Sequence, residues 1–320
     1  MNNVLFDWLT FSSKIHSLTD LIDLLGLEDI RFESAKGRYC YQDRLTYDGI
    51  NIYYNGAADM GICVELSGQG CRNFETFGNG DYATIFSEIC DNYSDKSDKR
   101  LMNVSRLDVA YDDFCGKLDL KYLMFAAQNQ EYVSRLKDIE VIYSNKGCSV
   151  CHGSRLQSNV YIRIYDKKME RKRDDLDHWV RCELKLKDTT AYGFIKLLNS
   201  GADIRKTYFD VLNNYLRYVV PTDNTTNASM LSTAPKWLDF IESWEKVSIF
   251  EKPGTSYNIM DLDNFVYKIA GGAVKTMVDI LGPEQFLDKL YESQKAKKTN
   301  PKYLELKRKW GTAENGEKNV

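Results

Sequence analysis

The stretch NVYIRIYDKKMERKRDD, residues 159–175, begins as a strand and ends as a run of mixed charge. In an extended chain successive side chains point to opposite faces. Tyr161, Arg163, Tyr165 and Lys167 therefore share one side, and Ile162 and Ile164 take the other. Two further segments repeat the pattern. In RLDVAYD, residues 106–112, Arg106, Asp108, Ala110 and Asp112 oppose Leu107, Val109 and Tyr111. In VRCELKLK, residues 180–187, Arg181, Glu183, Lys185 and Lys187 oppose Val180, Cys182, Leu184 and Leu186. Side by side, these strands would make a sheet with one apolar face for a core and one charged face.

Working outward, the same alternation predicts strands at VLFDWLTFS, RYCYQDRLTY, INIYYNG and GICVELSG, and later at DIEVIYS and KGCSVCHG. Helical spacing appears in SLTDLIDLLG, ending at Gly26, in DYATIFSEICDNY, LDLKYLMFAAQ and TTAYGFIKLLNS, and along IRKTYFDVLNNYLRYVV. Strand, helix and several strands occur from residue 4 to about 67 and again from about 103 to 187, a loose internal repeat. Long crossovers are few, so the fold class is α+β with mainly antiparallel sheets and a helical C-terminal region. The expected division is an N-terminal α+β half (1–100, DNA binding or support), a second α+β half (101–220, catalytic), a linker or loop rich in Thr, Asn, Ser and Pro (221–237), and a helical region with a basic tail (238–320).

The 320 residues can bury a sizeable core, and their 43% hydrophobic and 28% charged content is ordinary for a globular protein. No apolar run reaches membrane-spanning length, and the N-terminus lacks the features of a signal peptide, so a cytoplasmic location is expected. The eight cysteines are scattered through strand-like segments and read as reduced, mostly buried thiols. CSVCH, residues 148–152, has the spacing of c-type haem attachment, but its place inside an alternating strand outweighs that reading. The net charge is −3, yet residues 146–187 hold eleven Lys and Arg against six Asp and Glu. A locally basic face on an acidic chain fits a confined phosphate-binding surface.

Charged strand faces with cross-strand ion pairs are routine in antiparallel sheets, and the residue pattern alone favours that reading. The alternative is specific chemistry. Phosphodiester transfer needs a nucleophile, a divalent cation and further cations on the phosphate. Tyrosine can serve as nucleophile, and nearby Arg and Lys would favour its phenolate. Carboxylates suit Mg²⁺ or Mn²⁺, whereas the three histidines are not spaced to meet on one element. SGQGCR, residues 67–72, fits neither a P-loop nor a dinucleotide fingerprint and reads as a tight turn needing glycine for its backbone conformation.

Four blocks in order, GICVELSGQGCRNFE, SRLDVAYDD, GSRLQSNVYIRIYDKKME and WVRCELKLK, resemble the successive motifs of the replication initiation factor family, which contains rolling-circle plasmid initiators and related relaxases of Gram-positive integrative and conjugative elements. The resemblance runs from about residue 6 to about 220 and is weaker beyond. It implies a divergent HUH-endonuclease-like fold. It also implies origin-specific nicking and strand transfer through a covalent 5′-phosphotyrosine, serving rolling-circle replication or conjugative transfer. By the same resemblance Tyr165 is the nucleophile, and Arg163, two residues before it on the same strand face, is expected at the reacting phosphate. Asp108 and Glu183, with Asp112 and Asp166, are the ligands of Mg²⁺ or Mn²⁺. Arg106, Lys167, Arg181, Lys185 and Arg155 are expected on the DNA. Partners implied are an origin with an exposed single-stranded nick site, a host helicase and a second copy of the chain, with no membrane. The rival reading is a sequence-specific DNA-binding regulator that keeps the fold and does not cut.

Overall fold

The structure is a computed structural model describing residues 3–94, 99–145, 147–222, 230–241 and 271–295. The chain divides into two compact units, Met1–Pro253 and Gly254–Val320. The basic tail expected after residue 295 lies outside the described residues, as do 223–229 of the expected linker and 242–270 of the expected helical region.

The first unit is organised by one ten-stranded sheet. Its strands are β1 (Asn3–Ser13), β2 (Glu33–Lys36), β3 (Asp43–Tyr47), β4 (Ile50–Tyr54), β5 (Ile62–Leu66), β6 (Met102–Asp113), β8 (Ile139–Ile142), β9 (Ser149–His152), β10 (Val160–Asp166) and β11 (Val180–Lys187). β7 (Tyr132–Ser134) and β12 (Leu216–Tyr218) form a separate two-stranded ladder. The order across the large sheet is β2-β3-β4-β5-β1-β6-β11-β10-β9-β8, with every pairing antiparallel. The loose repeat of the sequence is therefore a repeat of topology. β1 and β6 pair at the centre, each is followed by a helix and a meander, and each meander returns its last strand to the side of the first. The halves expected at 1–100 and 101–220 share this single sheet.

The helices are α1 (Leu18–Leu24), α2 (Gly68–Phe77), α3 (Tyr82–Asn92), α4 (Leu120–Gln128), α5 (Lys167–Arg171), α6 (Asp188–Asn199), α7 (Ile204–Tyr215) and α8 (Pro235–Ile241). Several start on a side chain that accepts from the first-turn amides: Ser17 for α1, Asp81 for α3, Asp119 for α4 and Asp203 for α7. The alternating apolar residues of β1, β6, β10 and β11 merge with side chains of these helices into one core. Phe11, Val109, Ile162 and Leu184 from the sheet join Phe74, Phe194, Phe209 and Trp237 from the helices. Apolar burial on one side leaves the other face of the sheet to its polar residues. In the second unit α9 (Gly271–Leu281) and α10 (Pro283–Gln294) are joined at Gly282, whose φ of +78° suits glycine, with Pro283 opening the second helix. Among the described residues no helix is long and apolar enough to cross a membrane.

Some local expectations change. Arg38–Gln42 is not strand, because Tyr39 and Cys40 are left-handed (φ 55° and 69°) and the strand begins at Asp43. The helix expected through Val220 ends at Tyr215, and Leu216–Tyr218 pairs with β7 instead. The charge run after Tyr165 contains a short helix, α5, closed by left-handed Lys172. Three cysteines are buried, three are partly buried, and Cys40 and Cys115 are exposed in turns; all eight are free. Three residues apart in extended chain, Cys148 and Cys151 belong to opposite faces of the sheet and form no chelating pair.

SGQGCR is not a turn. Ser67 precedes α2, and Gly70 lies inside it with no left-handed backbone. The glycine is needed for close approach. The β3–β4 hairpin turns at left-handed Asp48 and Gly49 (φ 30° and 90°), and the Gly49 carbonyl accepts from both the amide and the hydroxyl of Ser67, each at 3.0 Å. A Cβ on Gly70 would collide with the Gly49 carbonyl and the Ile50 amide, both backbone. Gly70→Ala is expected to destabilise the protein by about 1–3 kcal/mol, as overpacking does. Gly68→Ala, whose added carbon would meet nothing nearer than 3.4 Å, should cost far less. Thermal unfolding of the two variants compares them directly.

Candidate active site

The register places the three charged strands as neighbours, β6-β11-β10, with their polar residues in rows. Tyr165 pairs with Arg181 and Arg181 with Asp112; Arg163 pairs with Glu183; Tyr161 pairs with Lys185 and Lys185 with Asp108. At one end of this face a cavity of about 400 Å³ is lined by Asp7, Asp108, Arg163, Tyr165, Lys167 and Glu183, among others.

Tyr165 is buried, at 3% exposure, yet its hydroxyl has polar company. It donates to Glu183 Oε2 at a long 3.4 Å and accepts from Lys167 Nζ at 3.1 Å. The Arg163 guanidinium sits 4.0 Å over the ring centroid. Sequence reasoning expects these cations to favour the phenolate. The structure reverses that expectation for the resting protein: burial, and then the Glu183 charge, hold the phenol above its ordinary range, and Arg181 only partly opposes them. Lys167, expected on the DNA, is instead buried at 4% exposure against Tyr165 and ion-paired with Glu170. Burial and the Arg181 charge lower its pKa.

The carboxylates separate into distinct roles. Asp108 is buried, and Arg106 grips it at 2.9 and 2.5 Å while stacking 3.8 Å over the Trp8 ring. Burial raises the Asp108 pKa against the pull of Arg106. The Glu183 carboxyl is pushed up to about 7 by burial and by the charges of Asp108 and Asp7. Asp112, expected as a metal ligand, is committed elsewhere: its oxygens accept from Arg181 Nε and Nη2, each at 2.7 Å, and from Trp179 Nε1 at 2.7 Å. Asp166, also expected as a ligand, faces away from this cavity. It caps α5 through the Met169 amide at 2.8 Å and lines a cavity on the opposite face beside His178. Arg181, expected on the DNA, is 5% exposed and fully engaged in ion pairs. Arg155 is exposed, and partly buried Lys185 forms no ion pair.

Sequence reasoning missed Asp7. It is the extra residue at a bulge in β1, where the register with β6 shifts between Phe6 and Trp8. The bulge lets Phe6 and Leu9 stay in the core while Asp7 turns to the polar face and meets Arg181 Nη1 at 2.8 Å. The one available signal is a lone charge in an otherwise apolar strand, VLFDWLTFS.

Among the described residues no group of three or more His, Cys, Asp or Glu is gathered closely enough to hold a metal ion by itself. The donor chemistry nevertheless suits a hard cation. Asp108 and Glu183 are oxygen donors, and Asp108 is among the charges that raise Glu183. Mg²⁺ is commonly held by one or two carboxylates completed by water and substrate phosphate.

Residues 102–292 match the family described as "Replication initiation factor", and residues 3–88 match the "Rolling Circle replication initiation protein N-terminal domain". The chain is 28% identical over 263 residues to a protein of Bacillus subtilis (strain 168) described as "Putative DNA relaxase NicK"; the alignment covers 77% of this chain and 73% of that one. A rolling-circle replication initiator protein of Geobacillus stearothermophilus superposes with a TM-score of 0.68 at 26% identity, over 78% of this chain and all of that one.

The raised Glu183 pKa has a stability consequence. Between about pH 4.5, the ordinary value, and about 7, the folded protein keeps a proton that the unfolded chain has lost. Stability therefore falls as pH rises through this window. Glu183→Gln removes the effect. In metal-free buffer at pH 8 the variant should be more stable than the parent by up to about 3 kcal/mol, and the gain should vanish near pH 4.5. Urea unfolding at the two pH values measures it.

Proposed function

The chain belongs to the replication initiation factor family, and on that premise we propose that it is an origin-specific single-strand DNA endonuclease and strand transferase with Tyr165 as nucleophile. It would initiate rolling-circle replication or conjugative transfer. The observation that carries this reading is the hydroxyl of Tyr165, held between the Glu183 carboxylate and the Lys167 ammonium in a cavity that also presents Asp108 and Arg163. A regulator that only bound DNA would have no use for a buried tyrosine hydroxyl supplied with a carboxylate acceptor.

In this mechanism the Tyr165 oxygen attacks the phosphorus, and the bond from phosphorus to the 3′ oxygen breaks. The phenolic proton passes to the carboxylate of Glu183, which already accepts from this hydroxyl. The departing 3′ oxygen takes up a proton, leaving a 3′ hydroxyl and a 5′-phosphotyrosine. Lys167 stabilises the developing charge on the phenolic oxygen, and Arg163 faces the phosphate oxygens. Asp108, with the second oxygen of Glu183, would hold Mg²⁺ or Mn²⁺; when bound, the ion neutralises charge on the reacting phosphate. Strand transfer is the reverse attack by a new 3′ hydroxyl on the phosphotyrosine. Arg106, Lys185 and Arg155 supply phosphate contacts around the cavity.

Tyr165→Phe keeps the ring under Arg163 and removes only the hydroxyl. It is expected to fold and to bind origin DNA as the parent does, but to form no covalent protein–DNA adduct with Mn²⁺ on a denaturing gel. Adduct formation by this variant would move the role to another residue, Tyr161 first. Asp108→Asn should retain origin binding, which rests on phosphate contacts elsewhere, and lose nicking of supercoiled origin plasmid across a Mn²⁺ titration. Parent-like nicking by Asp108→Asn would return the charged face to ordinary cross-strand pairing.

A further inference from the structure

A second cavity, of about 500 Å³, adjoins the first across the Arg163–Glu183 pair. Asp138 and Glu140 bound it from the β8 edge, Arg155 and Gln157 from the loop that follows β9, and Arg163 and Lys185 from its floor. Among the described residues none of these six side chains makes a hydrogen bond or ion pair, although both signs of charge are present and Arg163 is held only by its ring contact with Tyr165. Polar groups that converge on a cavity without satisfying one another are available to a ligand.

The loop is held in shape while its side chains stay free. The Ser158 hydroxyl accepts from the Ser154 amide at 2.9 Å, and the Ser158 amide donates back to the Ser154 carbonyl at 3.0 Å. Lys187 Nζ donates to the carbonyls of Arg155 and Leu156 at 3.1 and 2.8 Å. The Gly153 amide donates to the Asp138 carbonyl at 2.7 Å, fixing the loop to the edge of the sheet. At the tip of this braced loop stands Leu156, 87% exposed, the most exposed large apolar side chain among the described residues. An apolar residue on a rigid support beside a DNA site is suited to packing against an unstacked base or wedging between two.

The distances fit one nucleotide. Glu140, Cys151 and Arg163 are register partners across β8, β9 and β10, so Glu140 stands two strand spacings, roughly 10 Å, from Arg163. Cations on the floor suit a phosphate, and carboxylates and an amide on the rim suit the edge of a base. Carboxylates accept from exocyclic amino groups, which thymine lacks.

We propose that this cavity is a base-reading subsite: it seats one unstacked, amino-bearing base next to the scissile phosphate, contacts its edge through Asp138, Glu140 and Gln157, and supports it with Leu156. The inference rests on the nicking function proposed above and adds a source of sequence specificity to it.

The test uses the full chain and a single-stranded oligonucleotide spanning the nick site mapped with the parent protein. Each of the three nucleotides on either side of the nick is replaced in turn by an abasic residue or by thymine, and binding is measured by fluorescence anisotropy. One flanking position should lose roughly tenfold or more in affinity with either replacement, a loss of the size expected for one well-read base. The double variant Asp138→Asn, Glu140→Gln should show the same loss on the unmodified oligonucleotide and no further loss on the abasic one. Gln157→Ala provides a milder second variant, since all three positions are exposed. With Tyr165→Phe to prevent cleavage, 2-aminopurine at the sensitive position should brighten on binding, and Leu156→Ser should abolish the rise. A flat abasic scan, or an abasic penalty that persists undiminished in the double variant, overturns the subsite while parent nicking leaves the function standing. A parent protein that neither binds nor cuts the oligonucleotide overturns both.

Discussion

A buried guanidinium holds the site together. Arg181 extends from β11, meets both oxygens of Asp112 on β6, and reaches past them to Asp7 on β1. It therefore ties three adjacent strands on the polar face, directly beside Tyr165 in the register. A planar fork with five donors can grip both oxygens of one carboxylate and still reach a second, a geometry the point charge of a lysine does not offer. Removing one member of such a buried set strands the remaining charges, which is far more costly than losing an exposed pair. Trp179 closes the arrangement by donating to Asp112 and stacking against Phe114. The candidate cavity is thus built on a largely buried charge lattice, with Asp7 reaching its lining.

Above that lattice, charge is left deliberately unbalanced. Asp7, Asp108 and Glu183 crowd the cavity; beyond burial, the Asp7 charge makes Asp108 harder to ionise, and both together do so for Glu183. The cations that might offset them are partly committed, Arg106 to Asp108 and Lys167 to Glu170. The Tyr165 phenol stays protonated in this setting. Charge brought by a divalent cation would relieve the carboxylates and remove the main electrostatic opposition to the phenolate. On the proposed mechanism, activation of Tyr165 would then be coupled to assembly of the complete site.

Much of the candidate site was legible in the chain. Period-two alternation in residues 106–112, 161–167 and 180–187 assigned each side chain to a face, and the structure keeps those assignments through Asp108, Tyr165 and Glu183. The topological repeat was visible as a recurrence of strand, helix and meander. The failures have specific causes. Lys167 and Arg181 have the residue types of DNA contacts; Asp7 and Asp112 of two other strands claim Arg181, while the turn of α5 brings Glu170, three residues on, to the Lys167 ammonium where the sequence shows only a charge run. Gly70 looked like a conformational glycine because the hairpin carbonyl that crowds it belongs to a turn some twenty positions earlier.

The sequence by itself determined which faces of the strands are apolar, where most helices start, and which residues could share the polar surface. These follow from local periodicity and from capping, both properties of a few consecutive residues. Only the tertiary structure decided that β1 lies beside β6, that a bulge delivers Asp7 to the far side of an otherwise apolar strand, and that Asp112 serves Arg181 while Asp108 and Glu183 border the cavity. It also decided that the tyrosine rests as a phenol. Strand neighbours and desolvation are set by groups far apart in the chain meeting in one place, Asp112 with Arg181 and Asp7 with Arg181 among them, and no local pattern carries that information.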